Sequence, residues 1–433
     1  MVFKPLFWVG VLTLIVAPVL HGQDSVPVLR LGDLYRSLPA ASPRIAAATA
    51  LARAAEFRIA PARRPPDPQV QVGWMNRMLP GLERNDPLGM DQIQVMQMLP
   101  VAGQLGLAGR AASERAAAEH ARATDVEWEV RARAAMAYYD LYRMDRSLVV
   151  AHETLRLLQD LLKQAETMYG VGEGRQADVL RAQVEVARMT EEILRMEADR
   201  LGAAARLNAL VARSPYQVIG TPMLPRFPVE LPPLDSLIAN ADARRPMVQV
   251  AQANVRAADA DAKRARREIW PDLQVGVQYG QRPMADGSTD RMVSLMLGAS
   301  VPIFAGSRQL AMRREAEAMR TMVGAELEEM RADTRGRVGE LHAVVERARR
   351  LGDLYRGTIL PQADATVLSA RAAYRVGAVD FMTVLDDQMT VNRYRQDLIA
   401  LDAERGQSLA ELEMLLGREL FDPSAVSEDG APR

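Results

Sequence analysis

The stretch Tyr169-Gly-Val-Gly-Glu-Gly-Arg-Gln-Ala-Asp-Val-Leu-Arg-Ala-Gln183 stops one long helical pattern with three glycines and starts another. A second stretch, Tyr374-Arg-Val-Gly-Ala-Val-Asp-Phe-Met-Thr-Val-Leu-Asp-Asp-Gln388, does the same. The two share Tyr169/Tyr374, Val171/Val376, Gly172/Gly377, Val179/Val384, Leu180/Leu385 and Gln183/Gln388 at one constant spacing. A motif repeated with its flanks points to a duplicated unit.

The duplication extends upstream. Residues 43–73 align without a gap to 246–276, pairing Arg53 with Arg256, Arg63 with Arg266, Pro68 with Pro271 and Gly73 with Gly276. Pro100 and Gly103 answer Pro302 and Gly306. The chain therefore divides into a first repeat over 23–225 and a second over 226–420, joined by the proline-rich stretch 222–233. Each repeat carries the same order of patterns. A helix is expected over about 43–60 and again over 246–268, from apolar residues recurring at threes and fours.

Two alternating segments follow in each repeat, at about 69–78 and 91–99, then 272–281 and 291–301. Val70, Val72 and Trp74 alternate with Gln69, Gln71 and Gly73, and Val293, Leu295 and Leu297 alternate with Met292, Ser294 and Met296. Period two means strands with one apolar and one polar face. The polar faces carry Gln, Gly and Ser rather than charge. Very long helices are expected over 104–168 and 308–374, with return helices over 175–212 and 381–416. Leu141, Leu148, Leu155, Leu162 and Tyr169 fall at sevens, as do Met144, Ala151, Leu158 and Ala165, which is a coiled-coil seam. Pro361 should break or kink the second long helix, unless it opens a new segment. The polar tail, 421–433, is expected to be disordered.

Composition narrows the class. Acidic and basic residues nearly cancel, at 55 and 54, and no basic run is interleaved with aromatics, so nothing points to nucleic acid. There is no cysteine, which removes disulfides and thiolate metal sites. Lys4 followed by the apolar run 7–20 reads as a signal peptide over 1–22. No later stretch has the roughly 20 unbroken apolar residues of a spanning helix. No nucleophile elbow, phosphate loop or His-Glu-x-x-His is present, so an enzyme is not expected, nor a cofactor.

Alternation alone also fits an ordinary soluble sheet with one wet face, but strands of about ten residues are long enough to cross an outer membrane obliquely, and there four strands cannot close a barrel while lipid tolerates no open edge. Copies of the chain must pool strands. The class is mainly α with a β part: a duplicated helix, hairpin and long helical hairpin. At this point the residues carry a resemblance. The order of elements, the two Tyr-x-Val-Gly turns, Val301-Pro-Ile-Phe-Ala-Gly306 and Ile359-Leu-Pro-Gln-Ala363 resemble the TolC family of outer-membrane efflux channels.

The resemblance implies a homotrimer with a 12-stranded β-barrel in the outer membrane, continuous with an α-helical coiled-coil barrel in the periplasm of a Gram-negative-type bacterium. Such a channel is the passive exit duct of a tripartite system. It takes substrates from an inner-membrane pump, of the RND type, through a periplasmic adaptor. The turns at Gly172 and Gly377, with Leu180 and Leu385, would dock the adaptor. Asp178 and Tyr374 match a closed-state latch, a hydrogen bond of about 1 kcal/mol or more. An arginine common in that latch is replaced by Val379. Asp386 matches one aperture aspartate, Thr383 replaces the other, and Asp387 either adds charge or faces outwards.

Met75, Met96, Met98, Met292 and Met296 share the polar strand face. Thioethers suit Cu(I) or Ag(I), but flexible filling of a crowded interior is their plainer use, and no metal site is assigned. The alternative is a pore-less periplasmic coiled-coil scaffold or adaptor; the two matching hairpins favour the duct.

Overall fold

The computed structural model describes residues 28–76, 89–284 and 286–426. The signal-peptide reading over 1–22, the end of the first strand reading at 77–78 and the last part of the tail lie outside them. In chain order the elements are β1 (Val28–Leu29), α1 (Leu31–Ala41), α2 (Pro43–Phe57), α3 (Ile59–Ala62), β2 (Gln69–Met75), β3 (Met90–Leu99), α4 (Gln104–Gly170), α5 (Gln176–Leu210) and β4 (Thr221–Pro222). The second half continues with α6 (Leu234–Arg244), α7 (Pro246–Arg267), β5 (Asp272–Pro283), β6 (Thr289–Ser300), α8 (Gln309–Leu354), a π-helical turn (Tyr355–Ile359), α9 (Leu360–Arg375) and α10 (Phe381–Leu416). No helix among the described residues is long and apolar enough to cross a membrane.

The four long strands form one antiparallel sheet in the order β2-β3-β5-β6. Its register aligns Val72, Ile93, Tyr279 and Val293 in one row, and Val70, Val95, Val277 and Leu295 in the next. These rows are exposed apart from half-buried Tyr279, so an uncovered apolar band crosses this face of the sheet. A patch of this kind marks an interaction surface. The other face sets Gln71, Gln94, Gln278 and Ser294 in a row. Gln278 donates from Nε2 to Oε1 of Gln92 one row away. Both outer strands, β2 and β6, leave a row of backbone donors and acceptors unpaired among the described residues.

Below the sheet the chain is a fence of helices. At 67 residues, α4 spans roughly 100 Å. Its first half packs against α2 and α7, and α7 packs against α8. Ion pairs such as Arg44–Glu129 and Arg256–Glu114 tie these tracks. Its second half packs against α5 and α10, and α10 packs against α8 and α9. A buried Thr154 Oγ1–Asn392 Oδ1 hydrogen bond of 3.0 Å joins α4 to α10, and Asp145 pairs with Arg200 across α4 and α5. The lateral order is thus α2-α4-α7-α8 near the sheet and α5-α4-α10-α9 further down.

The apolar core is divided along this length. One cluster surrounds Tyr138, Tyr139, Leu141 and Leu207 at mid-height, and another surrounds Leu158, Leu161, Met189, Phe381 and Val384 towards the glycine turns. The expected heptad seam holds only in part. Ala151, Leu158 and Ala165 are buried, but the row from Leu141 to Tyr169 turns progressively outward. A straight helix rotates a seven-residue repeat by about 20° per heptad, hence about 80° over four.

Two readings are corrected, and one open alternative is decided. Two helices were missed, α1 and α6. Leu31, Leu34 and Pro43 stand to Leu234, Leu237 and Pro246 at the spacing of the duplication, so the repeat contained the signal. Pro361 takes the second of its two expected outcomes and stands in the first turn of a new segment, α9. The amide of Leu360 reaches back five residues to the carbonyl of Tyr355, and the widened turn accommodates a residue without N–H at the start of α9. The tail is ordered over its first part. Gly32 N–H donates to Pro423 O at 3.1 Å, Arg226 N–H donates to Ala425 O at 2.8 Å, and Val426 bridges Pro225. Main-chain pairing holds it, and such pairing leaves no apolar signature in the sequence.

Candidate functional site: the glycine turns and the open edges

Both helix reversals use the same hydrogen bonds. Glu173 N–H reaches Met168 O at 2.9 Å and Gly172 N–H reaches Tyr169 O at 3.0 Å. Ala378 N–H reaches Ala373 O at 2.9 Å and Gly377 N–H reaches Tyr374 O at 3.0 Å. This is the Schellman pattern, and it requires a left-handed residue. Gly172 and Gly377 supply it with φ of 80° and 70°. A Cβ at Gly377 would meet nothing within 4 Å, so the requirement is conformational and not steric. Gly377→Ala is therefore expected to destabilise the turn by about 1 kcal/mol, read as a lower melting temperature of the purified protein with secondary structure unchanged.

The duplicated tyrosines have diverged. Tyr169 is 49 % exposed, whereas Tyr374 is 6 % exposed and packs edge-on to Phe381 with ring centroids 5.9 Å apart. Burial raises the Tyr374 phenol above its usual range, and the nearby Asp178 carboxylate raises it further. The Asp178 carboxylate thus lies near the Tyr374 phenol, but no hydrogen bond joins the two. Phe381, which orients Tyr374, was missed by sequence reasoning.

The start of α10 carries the expected aperture residues. Thr383 donates from its backbone N–H and its hydroxyl to Asp380 Oδ1, at 2.9 and 2.6 Å. These bonds hold the Asp380 carboxyl below its usual range and cap the helix. Thr383 is therefore engaged in capping. Asp386 is exposed and Asp387 half-buried. Leu180 and Leu385 occupy matching motif positions, but Leu180 is 54 % exposed and Leu385 only 4 %. Leu385 is packed in the core with Phe381 and Val384 and offers no surface to a partner; its reading as a docking residue is corrected. The duplicated helices face different neighbours, so equal motif positions do not share an environment.

The five methionines lie on the polar sheet face as the alternation required. Met96 and Met296 flank Gly276, where a Cβ would meet Met96 Cγ at 3.1 Å and Met296 Cε at 3.5 Å. Methionine side chains from both neighbouring strands fill the space a side chain on β5 would take.

The lower edges are also open. On α5, Leu180, Val184, Leu194 and Leu201 are exposed, and Leu180, Leu194 and Leu201 fall on one heptad row. On the opposite edge Leu351, Leu354 and Leu368 are exposed. This second seam was legible in the sequence and was not read there. The described residues thus form a wall, with an apolar band on one sheet face and polar side chains on the other, long helical tracks below, and apolar stripes along both sides.

Comparison with known proteins agrees. The family model described as "Outer membrane efflux protein" matches twice, over 34–213 and 237–418, and the chain belongs to that family. Members are channels rather than enzymes, and the chain is an outer-membrane protein. Among characterised relatives, the pyoverdine export outer membrane protein OpmQ of Pseudomonas putida is 24 % identical over 396 residues, covering 86 % of this chain and 82 % of the relative. OpmQ of Pseudomonas aeruginosa is 24 % identical over 322 residues, covering 71 % of this chain and 66 % of the relative. The fold matches that of the outer-membrane channel OprN, with a TM-score of 0.76, 18 % identity and 89 % of each chain covered. It also matches VceC of Vibrio cholerae, with a TM-score of 0.77, 17 % identity, and 90 % of this chain and 97 % of that chain covered.

Proposed function

We propose that three copies close into a passive outer-membrane exit duct, a 12-stranded barrel continuous with a 12-helix periplasmic tunnel. One observation carries this reading. The chain is open on the same two sides at every level, with β2 and β6 at the top, α2 and α8 below, and α5 and α9 at the bottom. A lateral partner of the same kind satisfies all six edges at once. Eight strands would leave an interior filled by side chains, whereas twelve leave a lumen. The polar Gln, Ser and Met face lines that lumen and the apolar band meets lipid.

The duct opens towards a periplasmic adaptor and, through it, an inner-membrane pump of the RND type. The exposed turns at Gly172 and Gly377, with Leu180, form the docking end. Asp178 and Tyr374 tighten the closed tip, and three Asp386 carboxylates, with Asp387 beside them, form a cation-attracting ring.

The ring is tested in planar bilayers. Asp386→Ala is expected to weaken divalent-cation block by roughly tenfold, equivalent to about 1.4 kcal/mol. Unchanged block and conductance would remove Asp386 from the aperture.

A further inference from the structure

The connection from β6 to α8 exposes two large apolar side chains. Ile303 is 83 % exposed and Phe304 is 74 % exposed. They do not sit on a loose loop. Ile303 N–H donates to Val301 O at 2.9 Å, Ala305 N–H to Pro302 O at 3.1 Å, and Arg308 N–H to Phe304 O at 3.0 Å. The segment is a hydrogen-bonded knob whose apolar side chains are held outward.

The opposite edge carries a cleft of about 820 Å³ between α2, α3 and the start of α4. Phe57, Pro61, Pro65, Pro66, Pro100 and Leu105 give it an apolar lining, beside the charged Arg64 and Asp67. Phe57 is 78 % exposed, so the cleft is unfilled among the described residues. Knob and cleft stand at the same height. Leu99 pairs with Leu273 and Leu273 with Ala299, so Pro100 is level with Ser300, one residue before Val301. Gln97 Nε2 donates to Pro66 O at 2.6 Å and keeps the proline segment beside the foot of β3. The knob is on the β6 edge and the cleft on the β2 edge, the two edges that meet between neighbouring copies in a ring.

We propose that Ile303 and Phe304 of one copy fill the Phe57–Leu105 cleft of the next, making an apolar plug between copies where the barrel joins the helices. This rests on the three-copy ring proposed above. The plug removes the exposed apolar surface on both sides at once, and it seals the wall just where strand pairing stops at Pro100 and Pro302. Continuity with the open strand edges selects a second copy as occupant.

The chain has no cysteine, so a cross-link can be placed cleanly. Full-length Phe304→Cys/Pro65→Cys, and a second pair Ile303→Cys/Pro65→Cys, would be treated in outer membranes with a short bismaleimide. Most of the monomer band should be lost to dimer and trimer bands, with none lost in the single variants. Sedimentation of the detergent-solubilised protein separates the outcomes. A trimer in which neither pair cross-links overturns the plug and leaves the duct standing. A monomer overturns both. Quenching of a fluorophore on Phe304→Cys by spin-labelled phospholipid within an intact trimer would give the site to lipid and overturn the plug.

Discussion

Gly406→Ala is expected to lower the stability of the protein by about 3 kcal/mol, although it adds one methyl group. Gly406 lies on α10 where the helix passes the ring of Tyr139 on α4. An added Cβ would sit 2.4 Å from Tyr139 Cε1 and Cζ. Tyr139 cannot yield. It is fully buried, stacks edge-on to Tyr138 at 5.5 Å between centroids, and leans on Phe227. Its hydroxyl has no hydrogen-bond partner among the described residues, so the ring is held by packing alone. The clash therefore separates α4 from α10 at mid-height. Thermal unfolding in detergent reads the loss. Adding Tyr139→Ala supplies the room, so the double variant should be less destabilised than the sum of the singles. Strict additivity would show that the two residues do not meet.

The second large effect concerns pH. Glu413 on α10 is buried, accepts the Leu420 N–H at 2.7 Å, and faces Arg131, Glu419, Tyr35 and Tyr139. Arg131 does not compensate it fully. Its guanidinium lies 4.1 Å over the Tyr35 ring and pairs with Glu419 at 2.5 Å. Burial is the dominant influence and lifts the Glu413 carboxyl from 4.5 to about 7. Between those values the folded protein holds a proton that the unfolded chain has released. The stabilisation is complete below the lower value and lost as pH rises through the upper one, on the order of 3 kcal/mol in all. Glu413→Gln keeps an acceptor for Leu420 and removes the titration. Its melting temperature should stay level between pH 5 and pH 8 while the parent's falls. Parallel curves would assign the slope to another group.

Much of this fold is legible in the residues because it is built from long periods. Alternation over β5 and β6 survives any local ambiguity, and the repeated Tyr-x-Val-Gly requires reversals at Gly172 and Gly377. Short elements are where reading fails. In α1 only eleven residues are available, one of them Pro39, and its partner α6 becomes visible only by carrying the duplication upstream. The glycine turns are legible by position, but the environment of the residues beside them is not. Leu180 and Leu385 read alike, yet one faces outward and the other is enclosed, because α10 lies between α4 and α9 whereas α5 packs mainly on α4 alone. Thr383 looks like a lost aspartate until its bonds to Asp380 are seen.

The π-helical turn gives the two long rods unequal stiffness. From Gln104 to Gly170 the first rod has an unbroken ladder. The second has one widened turn, at Tyr355–Ile359, followed by a proline that cannot donate. Bending strain in a helix collects where its ladder is weakest. Load applied at the tip is therefore carried rigidly by the first repeat and absorbed as flexure in the second, so the two halves of a once-symmetric gene product become strut and spring.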